Sequence, residues 1–368
     1  MEEVLKCIER VPDKREKKKV LHKLKDIIII VLFAKLANAD DWQEIYQFAV
    51  IHETLLREYI ELKNGVPSHD TIERNFAVIE PKYLQALQRQ FNEMLSSGEG
   101  EKLRKILAID GKTQRGNGNK NQKANHIVSA VDEDGICLGE TLVGEKTNEI
   151  TAIPALLDEL NVKGQIVTID AMGTQTDIVA KIREKKADYV LGLKGNQGTL
   201  HDDVRLYFSD IEFLKKCDYH YTIEKARGGV EKREYWQTDD ISWLNQKDNW
   251  SGLKTIGITK NTIFKEDKTI EETRCFISSL PVDAKEFGRC IRGHWMVESF
   301  HWHLDVTFRE DANQTLEKRA AYNLNIINKI ALSVLKIADL GMKPMSLKKK
   351  RYSISLNPLR FLKMVLSV

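Results

Sequence analysis

Residues that staple or punctuate a chain are scarce here. Five cysteines (Cys7, Cys137, Cys217, Cys275 and Cys290) are scattered with no close pair. That excludes a zinc ribbon and a disulfide framework and fits a reducing compartment. With 7 prolines and 21 glycines in 368 residues, no fibrous or low-complexity composition is present. No long hydrophobic run occurs either. The apolar stretch Ile27 to Ala34 stops at Lys35, far short of the ~20 residues that span a bilayer. It also lies behind a charged segment, too deep for a cleavable signal peptide. A cytoplasmic protein with no membrane partner is expected. Charge of one sign is lacking as well: 57 Lys and Arg against 54 Asp and Glu leave a net charge of +3, which alone argues for no partner. Its distribution says more. Lys14, Arg15, Lys17, Lys18, Lys19, Lys23 and Lys25 form one cationic run, and Lys348, Lys349, Lys350 and Arg351 form another. Each can meet phosphates or stand as a solvated surface.

What is present is an ordinary globular composition, 42% hydrophobic and 30% charged, in a chain long enough for two or three domains. Residues 1–98 read as a helical domain. Leu24, Ile27, Ile28, Val31, Leu32 and Leu36 recur at helical spacing, and Trp42, Ile45, Phe48 and Ala49 continue after Asp40-Asp41. Pro67-Ser68-His69-Asp70-Thr71 predicts a turn into another helix, with Ser68 or Asp70 as cap. Such a pair can be a helix-turn-helix reader or a small structural bundle. The polar stretch Ser96 to Glu101 is the best boundary.

Residues 99–345 change period. Ile106 to Ile109 is a short apolar run ending in Asp110, and His126–Val131 and Ile136–Val143 flank a turn and read as a hairpin. A helical face follows at Ala152–Leu160, then a strand at Gln165–Ile169 ending in Asp170, a helix at Asp177–Lys186 and a strand at Tyr189–Leu193. This order predicts an α/β fold, a ribonuclease-H-like mixed sheet with flanking helices. From about 200 to 290 the pattern is irregular and partly β, with strands at Lys254–Thr259 and Thr273–Leu280, and reads as a β-rich insertion. Two helices return, one through Trp295, Glu298, Trp302 and Asp305, the other over Thr315–Ala338; residues 346–368 read as a basic C-terminal tail.

Asp110 and Asp170 each terminate an apolar strand, where side chains leave the packed core for a cleft. Strand ends also place Asp in turns and caps, so one alone is weak. Two on strands that this fold sets side by side are stronger. On a helix His294, Glu298, His301 and Asp305 share one face, and an ionisable stripe beside packed tryptophans is costly unless something binds there. Three readings follow. Glu298 can complete a trio with Asp110 and Asp170 that binds magnesium or manganese through oxygen, two ions then serving phosphoryl transfer. Glu298-x-x-His301 can instead be half of a di-iron site, but that needs a second Glu-x-x-His, which the sequence lacks. The stripe can also simply be solvated. His301 remains an auxiliary ligand in the first reading.

At these residues the sequence resembles a known family. Ala108-Ile109-Asp110-Gly111-Lys112-Thr113, Lys146-Thr147-Asn148-Glu149-Ile150-Thr151-Ala152-Ile153-Pro154, Thr168-Ile169-Asp170-Ala171-Met172-Gly173, Leu193-Lys194-Gly195-Asn196-Gln197 and His294-Trp295-Met296-Val297-Glu298 are similar, in order and spacing, to the H-repeat-associated (Rhs-linked) insertion-sequence transposases of the DDE superfamily. Val11-Pro12-Asp13, Ala39-Asp40-Asp41-Trp42 and Pro67-Ser68-His69-Asp70-Thr71 resemble the domain that accompanies them. The resemblance implies a ribonuclease-H-like core with a β-rich insertion, Asp110, Asp170 and Glu298 as the acidic triad, and two magnesium or manganese ions. It implies a transposase that binds the terminal repeats of its element, cleaves, and transfers strands to target DNA, as a homodimer on DNA. The alternatives are a DNA-binding protein that no longer catalyses and a structure-selective nuclease that cuts without joining. Gln114 departs from the usual Leu, and Ala226-Arg227-Gly228-Gly229-Val230-Glu231-Lys232-Arg233 replaces Gly-His-Gly-Arg-x-Glu-x-Arg, so Arg227 and Arg233 keep the charge for DNA but shift it. His294 and Asp305 occupy the arginine and lysine slots of the Tyr-Arg-Glu-Lys signature found in some members. Lys112, Arg115 and Lys194 follow the active-site strands and can hold backbone phosphates, with Asn196 and Gln197 as donors, or the last three can simply form a polar strand-to-helix turn. Trp243 and Trp250 can stack on an unpaired base or be buried.

Overall fold

The computed structural model describes residues 2–16, 18, 20–96, 104–144, 147–226 and 229–366. Lys17, Lys19, Lys146, Arg227 and most of the polar boundary stretch lie outside the described residues. Six helices come first: α1 (Glu2–Glu9), α2 (Leu24–Leu36), α3 (Trp42–Ile51), α4 (Glu53–Leu56), α5 (His69–Val78) and α6 (Pro81–Ser96). Every residue of α2 from Asp26 to Leu36 is buried, as a helix apolar on all sides must be. Among the described residues no helix is long and apolar enough to cross a membrane. Asp41 caps α3 through the Glu44 N–H, and Ser68 caps α5 through the Thr71 N–H.

The sheet begins with β1 (Ile106–Thr113), β2 (His126–Asp132) and β3 (Cys137–Leu142), followed by α7 (Glu149–Glu159), β4 (Ile166–Ile169), α8 (Thr176–Glu184) and β5 (Asp188–Leu193). After α9 (Thr199–Ser209) and α10 (Ile211–Leu214) come β6 (Asp218–Ala226), β7 (Gly229–Thr238), β8 (Thr255–Lys265) and β9 (Thr269–Ser278). Last are α11 (Ala284–Trp302), α12 (Lys318–Ile337), α13 (Leu347–Leu356) and α14 (Pro358–Val365). All nine strands form one mixed sheet in the order β3-β2-β1-β4-β5-β9-β8-β7-β6. β4 runs parallel to β1 and β5, and the other pairings are antiparallel. The irregular region therefore extends the same sheet, because β9 pairs with β5. Its strands are longer than expected and include β6 and β7, which the sequence reading did not resolve.

Side-chain alternation splits the core by face. Leu107, Ile109, Val128 and Ala130 join Ile153, Leu156, Ile178 and Ile182 of α7 and α8. Ala108, Ile127 and Val131 join Val297, Phe300, Ile327, Ile330 and the N-terminal helices. Every residue of α12 from Ala320 to Leu335 is buried. Residues 346–366 are no free tail. Arg351 is fully buried and donates to the Lys35 and Ala39 carbonyls and to Asp40, and Lys350 donates to the Leu335 and Ala338 carbonyls at the end of α12. Two of the four charges in that basic run are thus turned inward.

Candidate active site

Asp110 was expected to end its strand, yet β1 continues to Thr113 because its hairpin partner β2 is longer than β4. The parallel pairing with β4 stops at Ile109–Ile169, while Asp110 still pairs with Ser129 of β2. Beside β4, then, Asp110 stands at the open end, and Asp170 leaves β4 next to it. Helix α11 crosses under these strands. Gly293 permits the approach: a Cβ there would stand 2.7 Å from Ile106 Cδ1. A Glu286 N–H bond to Asp283 starts the helix, and Phe287, Cys290, Val297 and Phe300 bury its other residues.

The result is one cavity of about 400 Å³ lined by Asp110, Asp170 and Glu298 together with Lys194, His201, Arg274 and His294. Asp170 is fixed by its own loop, Oδ1 accepting from the Met172 N–H at 2.9 Å and the Gly173 N–H at 3.2 Å. His294 Nδ1 stands 3.2 Å from Thr168 Oγ1. Burial pushes the His294 pKa down, while Asp110 and Asp170 pull it back up, so the ring sits within their field. Glu298 is exposed at the rim. Among the described residues no lysine or arginine pairs with any of the three carboxylates.

The rest of the stripe on α11 faces β1. His301 Nδ1 lies 3.5 Å from Asp110 Oδ2, and its Nε2 is buried without a hydrogen-bond partner. Beyond Trp302 the helix widens into a π-turn at His303–Thr307, a distortion that often marks functional segments. It delivers Asp305 to Lys112, Oδ1 to Nζ 2.7 Å. Lys112 also meets Glu310 at 3.0 Å and Asp311 at 3.5 Å, so its charge is spent inside the protein rather than offered to a phosphate. Burial raises the Asp305 pKa and Lys112 opposes it.

Other expected residues divide similarly. Arg115 keeps its side chain 84% exposed, with Nε 3.9 Å from Asp311 Oδ2, and Lys194 is exposed on the cavity wall. Asn196 and Gln197 donate to the Ala171 carbonyl, each at 2.7 Å, and Gln197 also to the Thr174 carbonyl at 3.1 Å. They brace the loop that carries Asp170. Arg233 pairs with Glu224 and Glu231 and lines a second cavity of about 190 Å³ with Arg274, Arg292 and Trp295. Arg227 lies outside the described residues. Trp250 is buried, and Trp243 stacks on Tyr207 with ring centroids 5.1 Å apart. Arg274 and His201 were missed. They come from β9 and α9, and nothing in their local sequence marks them for a site built by sheet order.

As the chain stands, no group of three or more His, Cys, Asp or Glu side chains among the described residues is drawn together tightly enough to hold a metal ion. The donor set nonetheless suits a hard divalent cation. Three carboxylates with no lysine or arginine partner among the described residues share one cavity, and a neighbouring imidazole nitrogen lacks a partner.

A family model described as a transposase DDE domain matches residues 101–334, and one described as DDE_Tnp_1-associated matches residues 5–92. YncI of Escherichia coli O157:H7 is 40% identical, covering 97% of this chain and 93% of its own length. The H repeat-associated YhhI of Escherichia coli K12 is 35% identical over 91% and 90%. The inactive transposase YbfQ of Escherichia coli K12 is 36% identical over 20% of this chain and 88% of its own length.

Proposed function

The chain belongs to the DDE transposase family, and from that premise we propose that it binds the terminal inverted repeats of an insertion sequence, cleaves the DNA strand there and transfers it to a target. The observation that carries this reading is the meeting of Asp110, Asp170 and Glu298 in one cavity. In this proposal residues 99–345 are a ribonuclease-H-like catalytic domain built around β1, β4 and β5, and residues 1–98 accompany it in handling DNA.

Magnesium or manganese, held by Asp110, Asp170 and Glu298, would supply Lewis acidity toward the phosphate and toward the attacking and departing oxygens. The chain's own residues do the rest. Asp170 is pre-set by two backbone N–H bonds and by the Asn196 and Gln197 braces. Glu298, on the exposed rim, would complete the set from α11. Lys194 holds backbone phosphates, joined by Arg274 and Arg115 when these exchange Glu272 and Asp311 for phosphate, a sequence-independent grip whose strength falls steeply with salt.

The test uses DNA carrying the element ends, with magnesium. Asp110→Asn, Asp170→Asn and Glu298→Gln should each cut cleavage by more than the ~10–100-fold typical of groups outside the metal's own ligands, while a band-shift assay shows unchanged binding. Wild-type protein that binds the ends yet never nicks them would replace this reading with a binding-only protein. Cutting without joining of a pre-cleaved end would make it a nuclease.

A further inference from the structure

The nine-stranded sheet has two edges, and the chain treats them differently. Edge strand β3 is covered: from α6, Gln85 donates to the Glu140 carbonyl at 2.9 Å, and Asn92 and Gln88 donate to the Cys137 carbonyl at 2.7 and 3.3 Å. Edge strand β6 is bare. Among the described residues it pairs over nine residues only with β7, and it carries no proline and no register shift, two of the devices that ordinarily blunt an exposed edge. With Ala226 and Gly229 closing the hairpin, alternate residues Tyr219, Tyr221, Ile223 and Lys225 turn their N–H and C=O groups outward. Three of these are large and exposed, Tyr219 at 43%, Tyr221 at 53% and Ile223 at 58%. The patch runs on across the face through Val230 and Phe264, opposite one another in register and both exposed.

We infer that β6 is a dimerisation edge, pairing antiparallel with β6 of a second copy of this chain about a two-fold axis at Thr222, so that two sheets become one. The strand's own sequence selects both occupant and register. Thr222 is the midpoint of Asp218–Ala226, so an axis there gives the longest overlap. It sets Tyr221 opposite Ile223 of the second copy, an aromatic to β-branched pair, Tyr219 opposite Lys225, and His220 opposite Glu224. No like charges meet. Moving the axis one residue toward the turn sets Ile223 against Ile223 and Tyr221 against Lys225 but shortens the overlap, and a second step places Glu224 against Glu224. Moving it two residues the other way places His220 against His220 and also shortens it. The outward-facing backbone groups pair in the same register, since residues 221 and 223, and 219 and 225, are all of the outward set. Such an interface is isologous and closes on itself, which distinguishes it from open edge-to-edge aggregation. The inference does not rest on the catalytic reading and can hold for a chain that never cuts DNA.

Sedimentation or light scattering of the full chain without DNA tests it. Wild type should be dimeric at micromolar concentration. Tyr221→Lys with Ile223→Lys places ammonium opposite ammonium at both central pairs and should weaken dimerisation at least about tenfold. Tyr221→Glu with Ile223→Lys in one chain places opposite charges there and should restore the dimer, which an unrelated interface would not do. Thr222→Cys, at a closely spaced non-hydrogen-bonded pair, should form an intermolecular disulfide on mild oxidation while wild type does not. All three side chains changed are at the surface or partly exposed, and an unchanged thermal midpoint confirms folding. A wild type that remains monomeric, or a dimer indifferent to the double lysine variant with no Thr222→Cys cross-link, overturns the inference.

Discussion

Lys112 shows how far residue-level reading reaches. Its position two residues after Asp110 marked it as a phosphate ligand, and only the folded chain reveals that Asp305, Glu310 and Asp311 surround it. Burial alone would push the Glu310 carboxyl pKa up, but Lys112 and the Asn325 amide hold it below the ordinary carboxylate range. Glu310 is buried in a pocket of α12 amides, so removing its cation leaves an uncompensated interior charge. Lys112→Met should therefore destabilise the protein by about 3–5 kcal/mol, read from urea unfolding. The salt dependence of DNA binding should stay as it was. If stability is untouched while the salt slope falls by about one, Lys112 contacts phosphate after all. That Asp110, Asp170 and Glu298 line one cavity was foreseeable from strand ends and helical spacing, which are local patterns, although β1 runs on past Asp110. The partners of Lys112 were not, lying nearly two hundred positions away.

At the scale of elements, helices and short buried strands were readable because their period survives burial on one or both faces. β6 and β7 were hidden because charged residues crowd their alternation, as in Val230-Glu231-Lys232-Arg233-Glu234. Helix α2 carries a second hidden feature, Lys35, fully buried against Asp40 and the Phe308 ring. Burial, reinforced by the nearby Arg351 charge, lowers its pKa to about 7. The unfolded chain keeps that proton to about pH 10.4. Between about 7 and 10 the unfolded state therefore binds more protons, and stability rises with pH; below 7 both states are charged and the folded one carries the cost of a buried ammonium. Lys35→Met should abolish the rise between pH 7 and 9 and make the protein more stable than wild type at pH 6, by an amount on the order of 4 kcal/mol at most. Asp40 remains paired with Arg351 at 2.9 Å in that variant, so no orphan charge replaces the one removed. Parallel pH profiles for the two proteins, measured by chemical denaturation, would refute the assignment.

For the whole molecule, the polar stretch near residue 98 reads as a division, and the family models break at almost the same place. The packing nevertheless runs across it. Helices α2, α5 and α6 share one continuous core with α12, α13 and α14, and Asn323 of α12 donates to the Phe76 and Ile79 carbonyls that end α5. Trp42 Nε1 reaches Thr315 Oγ1 at 2.8 Å. A linker is visible in composition because it is local, whereas two faces meeting across more than two hundred residues leave no local trace. Helix α12 has one side on the nine-stranded sheet and the other on the N-terminal helices, so neither part can bury its apolar surface alone. The full chain should accordingly melt in a single calorimetric transition, with van't Hoff and calorimetric enthalpies in agreement. A fragment beginning at residue 99 should fail to fold, because α12 would expose Ile326, Ile330 and Leu335 to water. Two resolved transitions, or a soluble and cooperatively folded fragment, would show that the part beyond residue 98 stands by itself.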